Sequence, residues 1–228
     1  MATNSGKKAR KASTEQDNLI SATFKEVSPL TDRQADYLNA IKTDEIIFGL
    51  GSAGTGKTYV AASWAARELF YRRVRRIILT RPNIETGRGL GFLPGTIEEK
   101  YAPYLEPFDS VFHGTLGKSF YENALKNKTI EPRPLGFMRG STFDDAVVLV
   151  DEAQNCTKTE LKMLLSRIGR NTKIILSGDD DQIDIPSSGL RDAVNRLRHI
   201  DGVGVVRFTE DDIVRSRMCK EIILAYKE

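Results

Sequence analysis

The chain has 228 residues, of which 40% are hydrophobic and 29% are charged, and its formal net charge is +3. This length suits one large α/β domain, or one ordinary domain with a tail, and the composition excludes a wholly disordered or collagen-like chain. No unbroken apolar run exceeds five residues, so no transmembrane helix is expected, because one needs about 20.

A basic segment opens the sequence. Residues 1–17 contain no apolar residue larger than alanine after the first position, and their cationic side chains are Lys7, Lys8, Arg10 and Lys11. Because such a segment has too little apolar surface to fold, we predict a disordered basic tail. Two roles remain open for it: a solvated tail, or an arm that attracts nucleic-acid phosphate. No apolar stretch follows the basic residues, so a secretory signal is not expected.

Beyond the tail, residues 18–228 alternate between strand and helix patterns and are predicted to form a single domain. Short β-rich runs occur at 45–50, 76–80, 146–150, 173–177 and 203–208. Apolar residues recur at helical spacing at Leu161, Leu164, Leu165 and Ile168, with Gly169 as a stop, and again at Leu190, Ala193, Val194 and Leu197. Continuous apolar strands joined by helices indicate an α/β fold, with a central parallel sheet and helices on both faces.

Residues 82–142 depart from this alternation, because they are rich in glycine, proline and aromatic residues and have weak periodicity. We interpret them as an elaborated insertion between the second and third core strands, and such excursions are usually functional. Aromatic residues within it recur at spacings of three and four, at Tyr101, Tyr104, Phe108 and Phe112. Packing against the core or a neighbouring subunit is the favoured interpretation, with base stacking as the alternative.

The most specific motif lies between the first predicted strand and an alanine-rich helix at 59–70. It matches G-x-x-x-x-G-K-[ST], the pattern of a phosphate-binding loop, and consists of Gly51, Ser52, Ala53, Gly54, Thr55, Gly56, Lys57 and Thr58. Glycines let backbone N–H groups approach a phosphate closely, and the helix N-terminus adds a positive dipole end. Lys57 is expected to reach the β- and γ-phosphates, and the Thr58 hydroxyl to coordinate Mg²⁺.

Polar residues also follow two later strands. Asp151 and Glu152 come directly after the third predicted strand. We expect Asp151 to hold Mg²⁺ through water and Glu152 to polarise an attacking water as a general base. The fourth strand ends in a polar loop at 178–182, where Gln182 is predicted to sense the γ-phosphate or the attacking water, since parallel strands share one crevice at their carboxyl ends. The acids of this loop could instead cap the next helix or turn.

Together, the phosphate-binding loop, Asp-Glu-Ala-Gln at 151–154 and Gly-Asp-x-x-Gln at 178–182 resemble the RecA-like core of superfamily 1 helicases. The stretches between them are similar to the PhoH family of P-loop ATPases: Leu-Thr-Arg-Pro at 79–82, Leu-Gly-Phe-Leu-Pro-Gly at 90–95, Phe-Met-Arg-Gly at 137–140 and Asp-Ile-Val-Arg at 212–215. The chain departs from that pattern with Gly-Arg-Gly at 87–89, where the family usually has a Gly-Glu pair, and with Ser216, where it often has histidine.

The resemblance implies a RecA-like P-loop NTPase fold, hydrolysis of ATP with Mg²⁺, assembly into a homo-oligomeric ring with the hexamer as candidate form, and action on single-stranded RNA or DNA. The family is linked with phosphate starvation and occurs widely in bacteriophages, and this single-domain chain is similar to the phage form. Cys156 and Cys219 are too few for a disulfide framework or a zinc site. The expected location is therefore a reducing cytoplasm, that of the host if a phage encodes the chain.

Two features near the phosphate-binding loop each admit two interpretations. In helicase-like proteins a glutamine ahead of this loop reads the adenine edge, which would be Gln34 here. Alternatively, Thr31 and Gln34 form a capping box for a helix through Ile41. A cluster of arginines before the second strand either complements a helix C-terminus or contacts phosphate, and it comprises Arg67, Arg72, Arg73, Arg75 and Arg76.

A single RecA-like lobe lacks the second lobe that would complete a helicase site. A neighbouring subunit is therefore expected to supply the arginine that stabilises the transition state. Arg139 precedes the third strand and Arg215 follows the last one. Both are expected to extend away from their own core toward an adjacent subunit's nucleotide, and at least one of them is predicted to act in trans. A structural role is the alternative for each, and for Arg215 it is an ion pair with the acids at 210–212.

Three functions stay open on the sequence alone. The leading one is an ATPase coupled to a nucleic acid, RNA foremost. The second is a nucleotide-dependent binding or regulatory module with little turnover, against which Glu152 counts. The third is a phosphate-loop phosphotransferase, which Glu152 also disfavours and for which the sequence contains no evident arginine-rich lid.

Overall fold

The computed structural model describes Phe24 and residues 26–82, 105–179 and 182–225. Its strands form one sheet in the order β3-β2-β4-β5-β1-β6, in which every neighbouring pair is parallel. They are β1 (Ile46–Leu50), β2 (Arg76–Thr80), β3 (Ile130–Pro132), β4 (Ala146–Val150), β5 (Thr172–Gly178) and β6 (Val203–Arg207).

Helices of the described residues connect these strands and cover the sheet. They are α1 (Asp32–Thr43), α2 (Lys57–Phe70), α3 (Glu106–Leu116), α4 (Lys118–Lys126), α5 (Lys158–Leu165), α6 (Leu190–Leu197) and α7 (Arg217–Ala225). Short 3₁₀ turns lie at Leu135–Met138, Ala153–Asn155 and Glu210–Asp212. Within these ranges, no helix combines the length and the apolarity needed to cross a bilayer.

Alternate strand residues build two hydrophobic cores, one on each face of the sheet. Along β1, Ile47 joins the core formed with α1 to α4, and Phe48 joins the core formed with α5 and α6. In β4 the residues Val147 and Val148 divide in the same way. Because strands buried on both faces need apolar side chains at every position, this arrangement explains the continuous apolar runs. The predicted α/β fold, with helices on both faces of a parallel sheet, is confirmed.

The predicted strands at 76–80 and 146–150 coincide with β2 and β4, and the other three differ by a residue at one or both ends. Strand β3 was not predicted, because its three residues include a proline and are too short to show a period. The helix predicted through Ile168 ends at Leu165, and Ile168 instead forms a parallel bridge with Phe143.

The segment interpreted as an insertion contributes to the main core. Within it, α3 packs along α2, and Phe108, Phe112 and Tyr121 are buried in the same core as the sheet. Strand β3 closes one edge of the sheet beside β2. The core-packing interpretation of Phe108 and Phe112 is therefore confirmed. The tail at 1–17, the stretch at 90–95, Tyr101 and Tyr104 lie outside the described residues.

Replacing Phe112 with alanine tests this contribution. Phe112 is 0% exposed, so the substitution should lower the free energy of unfolding by about 3–5 kcal/mol, through lost burial and a cavity. Phe137, which is 64% exposed, is the matched control, and its replacement should cost less than about 0.5 kcal/mol. Urea unfolding of both variants measures the difference, and equal losses would contradict the packing of α3 on α2.

Candidate functional site

The carboxyl ends of β1, β2, β4 and β5 open into one cleft of about 470 Å³. Strand β5 lies between β1 and β4, so the segments after these two strands face each other across its end. Side chains and backbone from all four strand ends line the cleft, together with the C-terminal segment: Gly54, Lys57, Thr58, Tyr59, Arg81, Asp151, Glu152, Asp179, Gln182, Val214 and Arg215.

The phosphate-binding loop is held from both sides. On one side, Gly51 N donates to the Gly178 carbonyl at 3.0 Å, and a Cβ at Gly51 would clash with the Phe208 carbonyl. On the other, Val214 N donates to the Gly54 carbonyl at 3.1 Å. Gly56 caps α2 in the left-handed region, with φ of 84°, which glycine adopts without steric cost. This packing presents the start of α2 to the cleft, where its free N–H groups can bind an anion.

Lys57, the first residue of α2, folds back onto the loop. Its Nζ donates to the Gly51 carbonyl at 2.5 Å and to the Ser52 carbonyl at 2.8 Å, and the residue is only 9% exposed. Burial lowers the pKa of the ammonium, while the carboxylates of Asp179, Asp151 and Glu152 oppose that shift. A cation is thus poised at the loop, close to where a bound phosphate chain would lie.

The two expected metal-holding residues meet directly. Thr58 Oγ1 donates to Asp151 Oδ1 at 3.0 Å. Burial raises the pKa of the Asp151 carboxyl, the adjacent Glu152 raises it further, and the bond from Thr58 lowers it. A hydroxyl beside a carboxylate supplies the hard oxygen ligands that Mg²⁺ prefers, and a cation there would relieve the crowding of negative charge. These residues therefore fit the expected ion.

Glu152 faces the same cleft with both carboxylate oxygens engaged. Oε1 pairs with Arg81 Nη2 at 3.1 Å, and Oε2 accepts a hydrogen bond from Gln154 Nε2 at 2.5 Å. The backbone of Glu152 lies in the left-handed region, with φ of 52°, a conformation that costs a non-glycine residue energy and often occurs at functional sites. Glu152 lines the same cleft as Asp151 and Lys57, and its role as a general base remains a prediction.

Gln154 links the ends of β4 and β5. The side chain that donates to Glu152 also accepts a hydrogen bond from Asp179 N, at 3.0 Å to its Oε1, and the residue is buried. The segments after the same two strands are also joined by Asn155 and Asp184. Asn155 Nδ2 donates to Asp184 Oδ2 at 2.9 Å, and Asp184 N donates to Asn155 Oδ1 at 2.8 Å. Gln182 lies in sequence between Asp179 and Asp184, which these bonds hold, and it lines the cleft, as its predicted sensing role requires. Asp180 and Asp181 are outside the described residues.

The side chain of Gln34 supports the phosphate-binding loop from behind. Its Nε2 donates to the Thr55 carbonyl at 2.9 Å, and its Oε1 accepts from Leu30 N at 2.8 Å. Half of the expected capping box forms, because the backbone N of Gln34 donates to Thr31 Oγ1 at 3.1 Å. The second half does not, since the side-chain oxygen bonds Leu30 rather than the backbone of Thr31. Adenine reading by Gln34 remains a prediction.

The two candidate trans arginines occupy different places. Arg215 lies over its own phosphate-binding loop, where its Cδ would be 3.1 Å from a Cβ on Gly54, and it lines the cleft. This differs from the expected placement of Arg215 away from its own core, because the 3₁₀ turn at 210–212 folds back onto the loop. The acids there have other partners: Ser52 donates to Glu210, Lys220 pairs with Asp211, and the Asp212 carboxylate accepts a hydrogen bond from Thr209 N.

Arg139, by contrast, is exposed at the end of the 3₁₀ turn Leu135–Met138 and is not among the residues that line the cleft. The arginine cluster before β2 is largely ion-paired. Arg67 and Arg73 contact Glu68, Arg67 also contacts Glu26, and Arg75 contacts Asp145. These pairs favour the interpretation of a solvated, charged helix end over one of phosphate contact.

Sequence reasoning assigned no role to three residues of the site, of which Arg81 and Tyr59 line the cleft and Gln154 is buried beside it. Arg81 directly follows a predicted strand, so the rule applied to Asp151 and Gln182 could have found it. Tyr59, an aromatic residue that is 48% exposed, directly follows the phosphate-binding motif. Gln154 carried no separate signal, because its role depends on which strand ends are neighbours.

A family model described as PhoH, PhoH-like protein, matches residues 26–227. The PhoH-like protein of Mycobacterium leprae is 44% identical over 207 residues, which are 90% of this chain and 59% of that protein. Protein PhoH of Escherichia coli strain K12 is 44% identical over 210 residues, 89% of this chain and 59% of that one. The chain therefore spans about three fifths of the length of these curated relatives.

The fold is also found in a solved structure, the large terminase from a thermophilic bacteriophage. The TM-score is 0.52 at 12% identity, and the match covers 88% of this chain and 51% of that one. Identity this low supports the fold alone, whereas the family model spans nearly all of the described residues. With its phosphate-binding loop in a nucleotide-sized cleft, the chain belongs to the PhoH-like protein family of P-loop nucleotide-binding proteins.

Proposed function

We propose that this chain hydrolyses ATP with Mg²⁺, as a subunit of a homo-oligomeric ring, and that single-stranded nucleic acid, RNA foremost, is coupled to the reaction. The observation that carries the proposal is the meeting of Lys57, the Thr58–Asp151 pair and Glu152 in one cleft. These are the groups needed to bind a phosphate chain, to hold a metal and to activate water.

Each residue has a separable task. The loop N–H groups and Lys57 would bind the β- and γ-phosphates, and Thr58 and Asp151 would hold Mg²⁺, which neutralises charge on the phosphate oxygens when bound. Glu152 would accept a proton from the attacking water. Glutamate is the feature that favours hydrolysis over transfer to an acceptor, since a phosphotransferase must exclude water.

Turnover measured with and without single-stranded RNA, together with the mass in solution, tests the proposal. We expect Mg²⁺-dependent phosphate release, faster with RNA, from an oligomer. Phosphate appearing on an acceptor rather than in solution would support the phosphotransferase. The same rate with RNA, with single-stranded DNA and without either would contradict the coupling to nucleic acid.

One contact favours the second candidate, a nucleotide-dependent binding module with little turnover. Glu152 is bound through both of its oxygens, to Arg81 and to Gln154, and a base in this state has less capacity to accept a proton. Tight ATP binding with phosphate release no faster than that of Glu152→Gln would support this candidate.

Mixed oligomers test which arginine acts on a neighbour. An arginine finger supplied in trans is worth about 10³–10⁵ in rate. We propose that Arg139, exposed and away from its own cleft, acts in trans, and that Arg215 acts on its own loop. Lys57→Ala subunits keep both arginines but lack the phosphate-binding lysine, so mixing them with Arg139→Ala subunits should restore ATPase activity above that of either variant alone.

The same mixture with Arg215→Ala subunits is the matched control and should restore none, because each subunit then carries a defect in its own site. Native mass measurement must confirm mixed oligomers. If neither mixture recovers activity although mixed rings form, the trans arginine is contradicted. Recovery with Arg215→Ala alone would reverse the two assignments.

A further inference from the structure

We propose that Arg81 binds the γ-phosphate in its own subunit, and that it holds Glu152 until a nucleoside triphosphate arrives. The inference rests on the proposed ATP hydrolysis and deepens it by naming a phosphate-binding residue and a control on the base. The sequence motifs of this chain assign no role to Arg81.

The sheet order explains why these two side chains meet. Strand β2 is the neighbour of β4, and Asp151 N donates to the carbonyl of Thr80, the last residue of β2, at 3.0 Å, which continues the ladder one residue past the end of β4. Arg81 directly follows Thr80, and Glu152 directly follows Asp151. Arg81 Nη2 lies 3.1 Å from Glu152 Oε1. Both side chains are partly exposed and line the cleft that Lys57 also lines.

An arriving γ-phosphate competes well for this guanidinium. An ion pair between partly exposed groups contributes little to stability, because water screens both charges. The terminal phosphate carries more negative charge than a carboxylate and has oxygens that match the guanidinium fork. ADP lacks the γ-phosphate, so the ion pair between Arg81 and Glu152 should persist when ADP is bound. Arg81 thereby responds to the third phosphate and not to the first two.

When Arg81 moves from Glu152 to the γ-phosphate, one oxygen of the Glu152 carboxylate loses its partner while the other stays bonded. Glu152 Oε2 remains bonded to Gln154, whose own oxygen is bonded to Asp179 N. Gln154 is thus a positioning residue that keeps the carboxylate in place after Arg81 has moved. Oε1 then becomes available to accept a proton from water, at the moment when the substrate that needs that water is bound.

The alternative is that Arg81 only braces the ends of β2 and β4. A brace would affect nucleotide binding through the shape of the cleft, so its loss would weaken ADP and ATP to the same extent. A γ-phosphate ligand affects ATP alone. The comparison between the two nucleotides therefore separates the proposals.

Calorimetric titration with ADP and with a non-hydrolysable ATP analogue, both with Mg²⁺, measures this difference. Arg81→Ala should weaken the analogue about tenfold to a hundredfold, the value of one charge-assisted hydrogen bond, and leave ADP unchanged. Arg81→Lys, which keeps the charge without the fork, should recover part of the loss. Arg133→Ala is the matched control, because Arg133 pairs with Glu131 outside the residues lining the cleft, and it should change neither affinity.

Structures of the unaltered protein provide a second test that depends on no variant. With ADP the Arg81–Glu152 pair should persist, and with ADP plus aluminium fluoride, which occupies the γ-phosphate position, Arg81 should contact the fluoride. Equal weakening of both nucleotides by Arg81→Ala, or an intact pair in both structures, would overturn the proposal. Neither readout needs turnover, so an absence of phosphate release would contradict the proposed hydrolysis alone.

Discussion

Replacing Lys57 with alanine is expected to abolish tight ATP binding and to cost the transition state roughly 3–4 kcal/mol. The physical reason is local: Nζ is the ammonium at the centre of the phosphate-binding loop, bonded to the carbonyls of Gly51 and Ser52. On nucleotide binding those two bonds would be replaced by bonds to phosphate oxygens, and alanine can make neither set. ATP affinity and phosphate release, measured on the same preparation, test the expectation.

This variant also loses the bonds that Lys57 makes to its own loop, so the fold must be checked by thermal unfolding. Lys126→Ala is the control, because it removes an exposed lysine at the end of α4, and it should change neither binding nor turnover. A Lys57→Ala protein that unfolds at the normal temperature and keeps full turnover would show that the loop is not the phosphate site.

Replacing Glu152 with glutamine is expected to separate binding from hydrolysis. The amide cannot accept the proton of the attacking water, so turnover should fall by about 10²–10⁴. Its oxygen can still accept a hydrogen bond from Arg81 or Gln154, the two partners of the carboxylate, so the cleft should keep its shape. ATP affinity should therefore be retained, which equilibrium binding and phosphate release measure together.

Glu131 offers a matched control, because it is another partly exposed glutamate paired with an arginine, Arg133, and lies in β3. Glu131→Gln should leave turnover unchanged. If Glu152→Gln instead loses ATP binding and turnover in equal measure, Glu152 takes part in holding the metal and is not the general base.

Local sequence was sufficient where a function resides in one continuous segment. The phosphate-binding loop needs its glycines, Lys57 and Thr58 in a fixed spacing between a strand and a helix, so the pattern alone predicted it. The rule that parallel strands share a crevice at their carboxyl ends then brought Asp151 and Gln182 to the same cleft. Both lie there, and Thr58 contacts Asp151 directly.

Predictions were weaker where a side chain had a choice of partners. Gln34 had two proposed roles: its backbone makes half of the capping box with Thr31, its side-chain amide bonds Leu30 and Thr55, and adenine reading remains a prediction. Arg215 was expected to extend away from its own core, but the segment after β6 turns back and places the Arg215 side chain against Gly54. In both cases the outcome depends on how a flanking segment packs against the loop, and no periodicity or spacing records that.

The amino-acid pattern alone was therefore enough to predict the fold class, the two-sided sheet and the loop that binds phosphate, because strand burial and loop chemistry depend on contiguous residues. The surroundings of Glu152 depend instead on tertiary packing. Arg81 reaches it because β2 lies beside β4, and Gln154 links it to Asp179 because β5 lies on the other side. Sheet order also brought α3 and β3 into the core. Such neighbours are far apart along the chain, and only the packing of the whole sheet brings them within hydrogen-bond distance.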